Sequence, residues 1–197
     1  MADEPHSVGD ILDRIEELAD EKDEVSLGGT IEAFGTRSYA PFLVVIPLID
    51  ISPVGSIPGL PTLLALVIVL TAVQMLVGRK HLWLPGFLAN RSISSEKVKK
   101  AVKKVRPVAN WMDKWFHGRL PVLTRGPMVR VAAVAILVLT LAVPPLELLP
   151  LATTAPMAAI AAFGMALLVK DGVLMVIAFV AAGAALAVAA GLLGSRL

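Results

Sequence analysis

Polar and apolar positions along this chain are segregated into blocks. Met1–Asp23 is polar and acidic, yet Ile11, Leu12, Ile15 and Leu18 fall on one helical face, with Ser7 or Asp10 able to cap its start. This pattern predicts a short amphipathic acidic helix outside a bilayer. Ser26–Gly29 reads as a turn. Ile31–Ile51 is apolar but interrupted by Glu32, Arg37, Pro41 and Pro47. Its clean run, Tyr39–Ile49, is too short to span alone, because a crossing takes about 20 apolar residues. Pro47 removes a backbone donor and predicts a helix break near Asp50. Ser52–Pro61 holds Pro53, Gly55, Pro58, Gly59 and Pro61, which excludes regular helix there. Leu60–Gly78 is a full-length span. A second set follows later: Met128–Val143 as a short helix ended by proline, Leu151–Val169 as a full span, a tight turn at Lys170-Asp171-Gly172, and a last span over Val173–Gly194.

The two apolar sets share a motif. Pro47–Pro53 reads Pro-Leu-Ile-Asp-Ile-Ser-Pro, and Pro144–Pro150 reads Pro-Pro-Leu-Glu-Leu-Leu-Pro. Pro47 matches Pro144, Asp50 matches Glu147, and Pro53 matches Pro150. The same offset places Gln74 on Asp171. Three aligned positions with matching hydropathy point to duplication of a unit built on a broken helix. The predicted fold is therefore an all-α polytopic membrane protein. It contains an internal repeat of a broken short helix plus a full transmembrane span, and a cytoplasmic basic amphipathic helix.

Between the two sets lies a basic stretch. Ser92, Ser94 or Ser95 can cap a helix there, with Glu96 in its first turn. Val98, Val102, Val105, Ala109, Met112 and Phe116 line one face, and Lys97, Lys99, Lys100, Lys103, Lys104 and Arg106 crowd the others. Pro107 is expected to kink it. Basic sides with Trp111 and Trp115 near the end predict a helix lying in the membrane surface. The alternative is a soluble arm covering the acidic N-terminal helix. That acidic helix, in turn, either packs loosely on its own protein or docks on the basic segment. His81–Asn90, with Trp83, Pro85 and Phe87, suits an interfacial anchor. The domains expected are 1–25 (acidic helix), 26–78 (first repeat), 79–127 (basic segment), 128–172 (second repeat) and 173–197 (last helix).

Charge sets the orientation. Of 16 acidic residues in this 197-residue chain, ten lie within Met1–Glu24; of 18 Lys and Arg, thirteen lie between Arg79 and Arg130. The basic segment is thereby assigned to the cytoplasm. Each apolar pair then enters and returns, the N-terminus is cytoplasmic, and the last span ends outside. Even crossings favour a parallel duplication; re-entrant short segments would permit an inverted one. The chain has no Cys, which removes disulfide and thiolate chemistry.

Asp50 and Glu147 are carboxylates flanked by apolar sequence on both sides. Ionisable groups at membrane depth mark ion or proton pathways, and helix breaks expose carbonyls that coordinate ions. With Gln74 and Asp171 they form the candidate pathway set, and Pro47, Pro53, Pro58, Pro144 and Pro150 are the candidate breaks. The competing assignment puts both acids in the outer headgroup layer. His6, His81 and His117 lack metal-ligand spacing, so no metal and no cofactor is expected. No Gly-x-Ser-x-Gly and no phosphate loop is present, and no stretch could build a sugar-nucleotide domain. No base-reading motif is present either, so nucleic acid is not an expected partner. The expected partners are the lipid bilayer and a second copy of the chain. Stripes at Gly183, Ala187, Gly191 and at Ala158, Ala162, Ala166 suit close helix approach.

Ser26-Leu27-Gly28, Ala33-Phe34-Gly35, Pro47, Pro53, Pro58-Gly59, Gln74, Gly78-Arg79-Lys80, Trp83-Leu84-Pro85 and Arg91–Ser94 follow one another in a specific order. Gly126-Pro127, Pro144, Pro150 and Asp171-Gly172 continue it. This ordered set, over roughly Ser26 to Gly194, resembles the ExoD family of exopolysaccharide synthesis proteins. The acid at Asp50 departs from a more usual uncharged polar residue at that place. The resemblance implies a bacterial inner-membrane protein supporting exopolysaccharide synthesis or export and partnered with that machinery. With no catalytic constellation in the sequence, a non-enzymatic role is expected. The alternative is a small ion- or proton-coupled transporter using the broken helices around Asp50 and Glu147.

Overall fold

Apolar periodicity, proline and glycine divide the chain into helices joined by short turns. In a computed structural model of the chain, the described residues are 8–21, 24–26, 39–52, 55, 57, 59–79, 92–115, 120–149 and 151–194. Pro53, Pro58, Pro150, the three histidines and the His81–Asn90 stretch lie outside them, as do the side chains of Lys97, Trp111 and Trp115. In chain order the elements are α1 (Val8–Glu21), β1 (Glu24–Ser26), α2 (Ala40–Ile51), α3 (Leu60–Val77), β2 (Ser92–Ser94) and α4 (Ser95–Trp115). A 3-10 turn at Pro121–Thr124 leads to α5 (Pro127–Leu141), α6 (Val143–Leu146), α7 (Thr154–Leu168) and α8 (Gly172–Gly194). The described chain is helical apart from the two three-residue strands. It forms two units, Met1–Ser38 with Lys80–His117, and Tyr39–Arg79 with Gly118–Leu197.

In the first unit, the acidic helix docks on the basic one. Val8, Ile11, Leu12, Ile15 and Ala19 of α1 are buried, as are Val102 and Ala109 of α4, and the two helices pack together. Ala19 takes the inward place that periodicity assigned to the half-buried Leu18. Opposite charges line the joint: Lys99 Nζ lies 2.6 Å from Asp20, and Arg106 bonds Asp13 at 2.7 Å and also Glu16. These pairs are largely exposed, so each is worth under about 1 kcal/mol and apolar burial carries the joint. A ladder pairs Glu24 with Ser94, Val25 with Ile93 and Ser26 with Ser92, antiparallel. Three-residue strands are too short to leave a period-2 signal, and the sequence reading had only a turn there. α4 continues through Pro107 to Trp115.

In the second unit, α2 packs against α7, α3 against α5, and α8 against α7. The core is built of small and aliphatic residues: Leu43, Ala65, Ile68, Ala72, Ala132, Ala133, Ile136, Ile160 and Ala166 are all buried. Phe163 and Phe179 meet edge to face at 4.9 Å. Buried Thr71 and Thr140 return their hydroxyls to the Val67 and Ile136 carbonyls, four residues back, so no polar group is stranded by them.

The expected break near Asp50 is found, with α2 ending at Ile51, but Pro47 lies inside the helix and does not cause it; its missing N–H leaves the Leu43 carbonyl without a helical partner. Two other expected boundaries are corrected. Pro144 does not end its helix either. α5 passes through Ala142 into α6, where Pro144 and Pro145 occupy first-turn positions that need no donor, giving one apolar segment from Pro127 to Leu146. Conversely, Leu151–Val169 is not a full span. Leu151 to Thr153 are turn, Leu151 has φ 61°, and α7 has only 15 residues.

Among the described residues, three helices are long and apolar enough to cross a membrane: Leu60–Val77, Pro127–Leu146 and Gly172–Leu192. Their outward faces carry Leu63, Leu66, Leu70, Val134, Val138, Ile177 and Val180, all exposed. Contiguous exposed apolar faces of this kind suit a lipid or protein partner.

Candidate functional site

The acidic motifs converge at one end of the second unit. Glu147 follows α6, and its carboxylate reaches across to the start of α3. One oxygen accepts the Gly59 N–H and the other accepts the Thr62 hydroxyl. Gly59 holds φ 86°, a left-handed conformation natural only to glycine, which turns its N–H toward the acid. The first N–H groups of a helix lack internal partners and carry positive partial charge, so a carboxylate is well placed there. The Thr62 hydroxyl, followed by the Gly59 and Thr62 backbone N–H groups, holds the Glu147 carboxyl below the ordinary carboxylate range. At the far end of α3, Arg130 of α5 lies over Gly78, its guanidinium 3.2 Å from where a Gly78 Cβ would stand. One helix, α5–α6, thus sets an acid at the positive end of α3 and a base at its negative end.

Asp50 lies in the last turn of α2 and is only 5% exposed. Neither carboxylate oxygen has a hydrogen-bond partner among the described residues. The Thr153 hydroxyl, just before α7, is near enough to act on it electrostatically but not in hydrogen-bonding geometry, and Glu147 acts on it as a like charge. Gly55 folds back over this turn; its N–H donates to the Ser52 carbonyl at 2.9 Å, and a Cβ on Gly55 would overlap the Asp50 carbonyl.

The other two residues of the expected set lie elsewhere. Gln74 is in the last turn of α3, its carbonyl accepting the Arg79 N–H at 3.1 Å. Asp171 is buried and caps α8: one oxygen accepts the N–H groups of Val173 at 2.8 Å and Leu174 at 3.2 Å. Its own N–H closes the end of α7 on the Ala166 carbonyl, with Lys170 at φ 51° between. Asp171 therefore has a full structural role away from Asp50 and Glu147. Sequence reasoning missed Gly59, Thr62, Thr153 and Arg130. Threonine immediately before or within a first helical turn was the available signal for two of them. Among the described residues, no group of three His, Cys, Asp or Glu could hold a metal ion.

On α4, Lys103 and Lys104 are exposed, Lys100 pairs with Glu96 on the same helix at 2.7 Å, and Lys99 and Arg106 face α1. The six cations named from the sequence thus do not form one face. The apolar stripe is taken by α1.

Comparison with known proteins covers most of the chain. The family described as "Exopolysaccharide synthesis, ExoD" matches residues 8–191. Protein ExoD of Rhizobium meliloti (strain 1021) is 28% identical over 147 residues, which is 72% of this chain and 59% of that protein. The chain thus spans well under two thirds of that relative's length. Uncharacterized protein slr1875 of Synechocystis sp. is 25% identical over 150 residues, 76% of this chain and 70% of that protein. No solved structure matches. With the match running from α1 into α8, the chain belongs to the ExoD family of exopolysaccharide synthesis proteins.

Proposed function

We propose that this protein is a non-catalytic, integral inner-membrane factor supporting exopolysaccharide synthesis or export. The observation that carries this reading is the family match over residues 8–191 on a chain with three helices able to cross a bilayer. One contact within the second unit supports the orientation: the Tyr39 hydroxyl, just before α2, donates to the Arg79 carbonyl, just after α3, at 2.8 Å, so this pair of helices starts and ends on one side. With Lys and Arg concentrated in the central segment, that side is the cytoplasm. The exposed lysines of α4 face anionic headgroups there. The test is complementation. A bacterium lacking its own copy makes less extracellular polysaccharide, and the wild-type gene restores it. Restoration by a variant lacking residues 172–194 sinks the membrane-factor reading. Because the chain has no Cys, single-cysteine variants report orientation directly: a cysteine at Glu17, an exposed position of α1, reacts with an impermeant thiol reagent only from the cytoplasmic side.

A second reading, a small ion- or proton-coupled carrier, is favoured by one observation, the buried and unpaired Asp50 carboxyl. Its test is flux into proteoliposomes across an imposed pH or ion gradient, lost in Asp50→Asn.

A further inference from the structure

Both acids of the duplicated motif reach the same end of the second unit, and each is matched with a threonine at the start of a helix from the other half. Glu147 meets Thr62 of α3 and completes its hydrogen bonds. Asp50 faces Thr153 before α7 and completes none. Aspartate is one methylene shorter than glutamate, so the same arrangement leaves its carboxyl short of the helix it faces. Buried polar groups are otherwise hydrogen-bonded, and a buried carboxylate is paired or coordinates an ion.

Among the described residues, the elements packed on Asp50 bring no positive charge to it. α2 packs against α7 and α3, neither of which contains an ionisable side chain. The charged group that faces Asp50 is Glu147, a second acid engaged elsewhere. Asp50 also stands at the C-terminal end of α2, where the helix dipole is negative. Lys170 lies beyond the other end of α7, about 22 Å away along a 15-residue helix, and Arg79 beyond the other end of α3. Carboxylate, like charge and helix end all call for one positive charge that no described residue supplies. A divalent ion would need more acidic ligands than are gathered here.

We propose that Asp50 is the binding group of a monovalent-cation site, taking a proton or an alkali-metal ion beside Gly55 and Thr153 at the end of α2. This deepens the carrier reading, yet binding and transport are separable: occupancy tests this site, and flux tests that reading.

The experiment uses the full-length protein in nanodiscs in choline buffer. An apolar carbodiimide reacts with a carboxyl only in its protonated form, and the adduct is mapped by mass spectrometry. The expected result is an adduct on Asp50 that disappears as pH rises, persists in Glu147→Gln and is absent from Asp50→Asn. If the bound ion is alkali metal, Na+ or K+ at fixed pH protects Asp50; if it is a proton only, neither does. In parallel, the thermal unfolding midpoint of the wild type shifts with pH or Na+, and Asp50→Asn loses that shift. Labelling of the unsubstituted protein is read whether or not Asp50→Asn folds. No adduct on Asp50 at any pH, in the absence of alkali ions, overturns the site. An adduct without flux in proteoliposomes keeps the site and removes the carrier.

Discussion

Glu147 and Asp50 show how one methylene divides the fates of matched residues. Glu147 spans the gap between α6 and the start of α3 and caps it; Asp50 stays buried at the end of α2 without a partner. Replacing Glu147 with Gln removes the charge and one acceptor from the cap, at a cost of about 1 kcal/mol. The unfolding midpoint in detergent is expected to drop accordingly, and Thr62→Ala to lower it less. The pH dependence follows from the lowered carboxyl. A depressed folded value stabilises the protein fully above the ordinary carboxylate value of about 4.3 and is lost as pH falls through the folded value. Wild-type stability therefore declines in acid, and Glu147→Gln removes that part of the decline. A variant as stable as wild type at neutral pH sinks the cap. Both acids were legible in the sequence as charges out of place in apolar surroundings. Their different roles were not, because the partners Gly59, Thr62 and Thr153 come from distant elements that spacing does not connect. Asp171 misled for a similar reason: an acid before a glycine-led helix is a cap, and the offset from Gln74 concealed it.

At the scale of elements, length and packing were read with unequal success. α3 and α8 were plain from continuous apolar runs. The prolines misled, because a proline inside an apolar helix costs one hydrogen bond and packing can absorb it. The Leu43 carbonyl, which Pro47 leaves without a helical donor, is covered by Gly164 of α7. A methyl on Gly164 would come within 2.7 Å of the Leu43 carbonyl carbon, so the α2–α7 crossing depends on glycine there. Gly164→Ala is expected to destabilise by about 1–3 kcal/mol through overpacking. Gly194→Ala, at the exposed end of α8, where a Cβ meets nothing within 4 Å, is the control and is expected not to lower the midpoint. Equal midpoints for both variants would contradict this close approach. The α1–α4 pair was legible only as complementary charge, which left docking and loose packing both open; the apolar stripe of α4 was assigned to the membrane surface, and it packs on α1 instead. Its consequence for membrane binding follows from which lysines remain outward. Reversing Lys100, Lys103 and Lys104 leaves the Lys99 and Arg106 pairs with α1 in place. Each such charge contributes about 1 kcal/mol near an anionic surface. A cysteine reporter placed at Asn110, an exposed position of α4, is therefore expected to lose its protection from aqueous reagents in anionic nanodiscs on triple reversal. Full labelling of the reporter in the unreversed protein would show that α4 is not held at the membrane surface.

For the whole molecule, the offset of 97 residues predicted two related halves. α2 lies on α7 and α3 on α5, so the first helix of each half meets the second helix of the other. Both acids also lie at one end of the second unit. The helix lengths break this symmetry, with 12 and 18 residues in α2 and α3 against 20 and 15 in the later pair. Two of the five apolar segments are thus too short to cross a bilayer unaided, and their ends need cover by protein or water. A second copy of the chain supplies that cover in the arrangement we propose. The two small-residue stripes differ in their availability. In the alanine stripe Ala166 is buried, Ala162 half-buried and only Ala158 exposed, whereas Gly183, Ala187 and Gly191 of α8 are all exposed and nothing lies within 4 Å of a Cβ on either glycine. The contact face is therefore placed on α8, where small residues let two helices approach closely. Mass measurement in nanodiscs is expected to give twice the 20.8 kDa chain mass, and Gly183→Leu with Gly191→Leu to shift it to one. Because those side chains project away from the protomer, the double variant keeps its own unfolding midpoint while losing the partner. A single-chain mass in the wild type sinks the dimer, and a dimer indifferent to both leucines moves its interface off α8.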